Sequence, residues 1–414
     1  MLDLREIRRD PERMREALAR RGPDAAAGID RVLALDAAWR GATERAEALR
    51  AELNAASRGR RGAPGEEERA QLAELAARGR ELSDEEARLK RELDGAVAGL
   101  PNLPMADAPG EDTVVREASP PPDEPPPWVR DHLALAGARI DMERGARLSG
   151  SRFAYLRGDL VLLELALVRW VLERLGASGF EPVIPPVLVR ERALYGTGFL
   201  PDTEQQIYAL PADDLFLAGT SEVALASLHA GEILDAAGLP LRYAGFSPCF
   251  RREAGAASRD TRGIFRVHQF DKVEMFSFVA PEESATEHER LLALEEGLLT
   301  ELGIPYRVVA IAVNDLGASA AKKYDCEAWL PGQGRYRELT SCSNTTDFQA
   351  RRLGVRYRPA DARRPAVVHT LNGTAVAVGR TIIALLENGQ REDGSVALPP
   401  VLTEWGAPAD LPPA

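Results

Sequence analysis

The chain has 414 residues, 45% of them hydrophobic and 28% charged, with a formal net charge of −12. That is enough apolar material for two or three packed domains, and it excludes a wholly disordered chain. No apolar run nears the roughly 18 residues that span a bilayer. The longest candidate, around Leu160–Leu175, is broken by Glu164, Arg169, Glu173 and Arg174.

The chain opens Met1-Leu-Asp-Leu-Arg-Glu, with acids where a secretory leader has a basic start and an apolar stretch. A cytosolic location is expected. Cys249, Cys326 and Cys342 are scattered and form no C-x-x-C pair, which suits reduced thiols. The five histidines contain no H-E-x-x-H, so no zinc site is expected. The acidic balance argues against blanket attraction to nucleic acid but leaves a local basic surface open.

Residues 1–105 form a block rich in Ala, Glu, Arg and Leu. Val32, Leu35, Trp39, Ala42, Ala46, Leu49 and Leu53 follow alternating steps of three and four. Leu72, Leu75, Gly79, Leu82, Glu86, Leu89, Leu93, Ala96 and Leu100 do the same, with Gly79 and Glu86 as poor seam residues. The spacing predicts two coiled-coil helices, and the Gly/Arg-rich stretch after Asn54 predicts a turn between them. About 30 residues per helix would make an antiparallel hairpin of order 40 Å. A dimerising coiled coil has the same periodicity. Arg58, Arg60 and Arg61 at the tip are candidates to grip phosphates, although a solvated basic turn fits them too. Residues 29–98 hold 13 Lys and Arg against 15 Asp and Glu, so the arm is not basic overall.

A Pro-rich linker is expected over 106–130 and a second domain over 131–414. Helical patterns near 158–175, 282–302 and 376–388 alternate with strand-like runs at Phe265–Phe270 and Val273–Val279. Without a regular βα repeat, the expected class is α+β: a helical-hairpin arm followed by an antiparallel sheet flanked by helices.

No P-loop, third dinucleotide-turn glycine, kinase set or nucleophile elbow is present. The informative stretches are Cys249–Gly255 with Arg262–Phe276, read as strand, polar loop and returning strand, and Leu371–Asn388, read as strand, turn and helix. Arg380 would stand near the positive end of that helix, which calls for an anion opposite, a protein carboxylate included. His268 reads as a strand residue with a structural hydrogen bond and Cys342 as a small site-lining residue. Lys322 and Lys323 read as solvated, and Trp39 as seam packing.

These stretches resemble the bacterial-type seryl-tRNA synthetases, class II aminoacyl-tRNA synthetases, over essentially the whole chain. Gly179-Phe-Glu-Pro-Val-Ile-Pro-Pro186 is similar to motif 1, Phe250-Arg251-x-Glu253 to motif 2 and Gly373–Arg380 to motif 3. Gly219-Thr-Ser-Glu222, Arg262–Phe270 and Glu338–Arg352 resemble the serine-specific segments.

The resemblance implies that serine and ATP form seryl-adenylate and that serine passes to tRNA(Ser), leaving tRNA(Sec) open as a second acceptor. It implies a homodimer and Mg²⁺ with ATP. The implied ATP site comprises Arg251, Arg252, Glu253, Phe265, Val267, Glu338, Leu339, Thr340, Ser341 and Arg380. Arg251 would serve the α-phosphate and the serine carboxylate, Arg380 the γ-phosphate end, and Glu338 with Ser341 the metal. The implied serine site comprises Thr220 and Glu222 around the ammonium, Glu274, Thr374 and Asn372 around the hydroxyl, and Ser221 and Arg251. Gly389, where a histidine is expected, and the Pro-rich tail depart from the family pattern. They keep an inhibitor-tolerant paralogue and a non-catalytic tRNA-binding paralogue open as alternatives.

Overall fold

The computed structural model describes residues 1–57, 65–118, 120, 126–201, 206–254, 262–360 and 363–414. Arg58, Arg60 and Arg61 lie outside them. The chain divides into two compact units, Met1–Leu103 and Pro104–Ala414.

The first unit is helical. Two short helices unannounced by the heptads, α1 (Leu4–Arg9) and α2 (Pro11–Ala19), precede the long α3 (Pro23–Ser57) and α4 (Glu66–Ala98). Asp10 caps α2 by accepting from the Arg13 amide, and Pro11 stands where a helix needs no amide donor. Asp36, buried on α3, accepts from Arg8 Nε at 3.0 Å and Arg40 Nε at 3.1 Å, which ties α1 to the hairpin base. Ile7, Leu18, Ile29, Val32, Leu93 and Val97 fill the space between.

Pairs along the arm descend in opposite order, Thr43 with Glu86 and Leu49 with Gly79, so α3 and α4 are antiparallel. Both poor seam residues are accommodated. A Cβ on Gly79 would stand 3.6 Å from Leu53 Cδ1, so the leucines of α3 pack against this position at ordinary contact distance. Glu86 accepts from the Thr43 hydroxyl at 3.0 Å.

The second unit is built on an eight-stranded sheet. In chain order its strands and main helices are β1 (Thr113–Ala118), α5 (Asp159–Ala177), β2 (Glu181–Val183), α6 (Glu222–Ser227), β3 (Leu241–Phe250), β4 (Gln269–Val279), α7 (Ser284–Glu301), β5 (Tyr306–Ala310), β6 (Lys322–Leu330), β7 (Arg335–Thr346), α8 (Phe348–Leu353), β8 (His369–Ala377) and α9 (Val378–Asn388). The strand order is β1-β5-β6-β7-β8-β4-β3-β2, antiparallel throughout except for the β2–β3 pair. β1 lies inside the stretch expected to be linker; its β-branched Thr-Val-Val pairs with β5 as an exposed edge.

Alternation along β4 sorts its two faces. Val273, Met275 and Val279 join the core with Leu163, Leu167 and Trp170 of α5 and Ile382 and Leu385 of α9. Phe276 and Phe278 pack with Leu225 of α6 on the other side. Each large side chain buried in this way contributes about 2 kcal/mol.

Four shifts interrupt the register of the sheet, and two of them concern the residues of the site. Cys326 pairs with Thr340 and Glu327 with Glu338, so Leu339 is extra on β7. Val273 pairs with Val376 and Glu274 with Thr374, so Ala375 is extra on β8. A bulge re-aims the side chains beyond it. Here it lets Glu338 and Ser341, three apart, line one cavity.

Candidate active site

The cavity holds about 360 Å³ above β4, β7 and β8. Strand alternation and the two bulges bring polar side chains from five segments to it: Thr220 and Glu222, Arg251 and Glu253, Lys272 and Glu274, Glu338 and Ser341, and Asn372 and Thr374.

At one end, Arg380 on the first turn of α9 donates from Nη1 to the Glu338 carbonyl at 3.0 Å, with the Glu338 carboxylate at 3.6 Å. That carboxylate is the anion expected opposite the helix start. Burial works to raise the Glu338 pKa, but Arg380, Lys323 and Arg251 outweigh it and hold the group below the usual range. Burial lowers the Arg380 pKa; Glu338 opposes this while Arg251, Arg266 and Arg337 add to it. Phe265 presents its ring to the guanidinium groups of Arg337, 3.8 Å away, and Arg380. Arg251 donates from Nε to the Gly219 carbonyl at 3.2 Å and lies over Phe270. Glu253, at a positive φ of 52°, accepts from Arg266 at 2.6 Å.

At the other end, Glu222 Oε1 accepts from Gln349 Nε2 at 2.7 Å and Asn372 Nδ2 at 3.0 Å. Burial and then the Glu274 charge push Glu222 up to about 7. Lys272, buried beside it, pairs with Glu274 and donates to Thr220 Oγ1 at 2.8 Å. Such a set of cations at one end and carboxylates, amides and a hydroxyl at the other can hold phosphates and an amino acid side by side.

Several expectations are corrected. Ser221 is buried behind the cavity against Ser247 Oγ at 2.8 Å, because its side chain turns toward β3. Arg252 is exposed, and its amide bonds the Gln206 carbonyl at 2.9 Å. The returning strand starts at Gln269 rather than Phe265. Residues 262–268 are irregular, with Gly263 at a φ of +79° packed on His132. His268 keeps its structural bond, Nδ1 to the Arg251 carbonyl at 2.9 Å, just outside the strand. Cys342 is fully buried in the core beneath the sheet instead of lining the site. Lys322 and Lys323 are not solvated: they pair with Asp107 at 2.7 Å and Asp325 at 2.8 Å, and Lys323 lines the cavity. Trp39, by contrast, packs as expected, half-buried in the arm core under Lys90.

The sequence reading missed Lys272, Arg337 and Gln349. Lys272 stands two residues before Glu274 on one strand, and that spacing puts both on one face.

Gly389 has a local reason. A Cβ there would stand 2.1 Å from the Ala397 carbonyl, so no side chain fits this backbone.

Residues 1–104 match the family model described as the seryl-tRNA synthetase N-terminal domain. Residues 208–389 match the tRNA synthetase class II core domain (G, H, P, S and T). The chain is 52% identical over 419 residues to the serine–tRNA ligase of Acidothermus cellulolyticus, covering 98% of each. This chain belongs to the seryl-tRNA synthetase family. The serine–tRNA ligase of Thermobifida fusca is 51% identical over 97% of this chain and 96% of its own. Among solved structures, the seryl-tRNA synthetase of Pyrococcus horikoshii complexed with ATP superposes with a TM-score of 0.90 at 42% identity, covering all of both chains. The hairpin arm and the antiparallel sheet are thus those of this synthetase family.

Proposed function

We propose that this chain activates L-serine with ATP and transfers the seryl group to tRNA(Ser). The observation that carries the reading is the convergence of Arg251, Arg380, Glu338, Glu222 and Glu274 on one cavity. A serine carboxylate is already ionised at neutral pH, so adenylate formation needs alignment and charge neutralisation rather than a general base. Its oxygen attacks the α-phosphorus of ATP and pyrophosphate leaves. The terminal ribose hydroxyl of the tRNA then attacks the seryl carbonyl and AMP leaves.

Arg251 serves the α-phosphate and the serine carboxylate, Glu253 the adenine edge, Phe265 the base face and Arg380 the far phosphates. Thr220 and Glu222 hold the ammonium. Glu274, Thr374 and Asn372 receive the hydroxyl, and a pocket that must bond an OH rejects alanine.

Glu338 and Ser341 offer a carboxylate kept ionised and a hydroxyl on one wall, a donor set that suits Mg²⁺ shared with phosphates. Among the described residues no group of three or more His, Cys, Asp or Glu forms a metal cage. Magnesium bound there would offset phosphate charge.

The chain acts as a homodimer. Leu162, Leu165 and Ile184, the last on the motif 1 segment, are 51%, 60% and 83% exposed, an apolar face that suits a second copy. No described helix is long and apolar enough to cross a membrane, and a cytosolic location suits an enzyme that charges tRNA.

The test is charging of a tRNA(Ser) transcript with labelled serine, ATP and Mg²⁺, alongside Arg251→Ala. Charging by the wild type and its loss in the variant are expected. Near-normal charging by Arg251→Ala would overturn the assignment.

A further inference from the structure

Thr220 has its hydroxyl fully committed within the protein. Its hydroxyl accepts from Lys272 Nζ at 2.8 Å and from the Glu222 amide at 3.2 Å, and donates to Glu274 Oε2 at 3.4 Å. A hydroxyl has one proton to give and two lone pairs to share, and all three are in use. Lys272 also pairs with Glu274, and both side chains are buried, at 7% and 2% exposure. A lysine is so buried only when paired. Its ammonium therefore stands between Thr220, which serves serine's ammonium, and Glu274, which serves serine's hydroxyl.

We propose that Lys272 is a positioning residue, whose ammonium holds Thr220 and Glu274 between the two serine subsites and balances the cavity's two carboxylates, so that Thr220 and Glu222 can receive serine's own ammonium. The inference rests on the reading of this cavity as a serine site.

Charged and titratable groups approach this cluster from every side of the cavity. Glu222 comes from α6, Arg251 and Cys249 from the end of β3, and Glu295 from α7 beneath the sheet. Lys272 and Arg251 both oppose the protonation of Glu222 that burial and Glu274 favour. Without the Lys272 charge, two carboxylates share a dry site with one cation fewer, and the site takes up a proton at higher pH. Serine must then displace that proton. The neutral variant is therefore hampered near neutrality and relieved as pH rises.

The experiment is serine-dependent ATP–pyrophosphate exchange by the full chain from pH 6.5 to 8.5, comparing wild type, Lys272→Gln and Lys272→Arg. Lys272→Gln keeps polar contacts and drops the charge; Lys272→Arg keeps the charge in a bulkier side chain. For Lys272→Gln, the serine KM is expected to rise about tenfold at pH 7 and to approach the wild-type value at pH 8.5, with the ATP KM within about twofold. Lys272→Arg is expected to keep the wild-type pH profile, and this holds as a test even if Lys272→Gln fails to fold. A Lys272→Gln serine KM that is unchanged, or raised equally at every pH, overturns the proposal. So does an altered pH profile in Lys272→Arg. Wild-type protein without serine-dependent exchange would instead overturn the proposed function, and this inference with it.

Discussion

The Arg380 guanidinium lies over the Phe265 ring, 4.6 Å from its centre, and its Nε donates to the Phe265 carbonyl at 3.3 Å. One side chain thus fixes both the ring face and the backbone of the segment that returns from motif 2. A lysine would keep the charge but lose the planar stack and the fork of donors. Arg380→Lys is expected to raise the ATP KM about tenfold, with the serine KM changed less than about twofold. Exchange kinetics at varied ATP check this, and an unchanged ATP KM would count against the role given to Arg380.

Glu222 is pushed up to about 7 because burial and Glu274 disfavour its charge. On the acid side it holds a proton and loses its attraction for an ammonium group. In the wild type, kcat/KM for serine is expected to fall about tenfold per unit below that value and to level off above it. Glu222→Gln should flatten this limb, and a pH profile of exchange that keeps it would refute the assignment.

Gly79 weakens α4, since glycine costs a helix interior about 1 kcal/mol relative to alanine. A Cβ there makes ordinary contact, 3.6 Å from Leu53 and 3.8 Å from Leu49. Gly79→Ala is expected to stabilise the arm by about 0.5–1 kcal/mol. Slower amide exchange across 66–98 would register it; faster exchange would mean the seam has no room.

At Gly389 the sign reverses. The Ala397 carbonyl and the Leu385 carbonyl would lie 2.1 and 2.9 Å from an added Cβ. Gly389→His, which supplies the side chain expected of the family at this position, is expected to lower Tm and to cost about 3 kcal/mol. A thermal melt with unchanged Tm would show that the chain can shift there at no cost.

The hairpin was legible because seam spacing is a local signal, and Leu49, Leu89 and Leu93 are buried where that spacing put them. Its base was not: α1 and α2 are short, and Asp36 gathers two arginines through space. In the second unit, motif resemblance led to Arg251, Glu253, Glu338 and Arg380, which line one cavity. Alternation misled at Phe265–His268, where apolar and polar residues alternate like a strand but the Gly263 turn and the Arg380 bond to Phe265 hold an irregular path. Ser221 was misread because a contiguous motif need not point one way. Lys272 was overlooked because a lysine is ordinarily a surface residue.

The extra residue at Leu339 makes the site depend on parity. On an unbroken strand, positions an odd number apart face opposite ways. Glu338 shares the cavity with Ser341 only because one residue between them goes uncounted by the neighbouring strand. Drawing the strand straight without losing a residue would leave every motif residue in the sequence and turn Glu338 toward the core, away from Arg380. The uneven pairing of this segment is therefore as much a part of the enzyme's chemistry as the letters it contains.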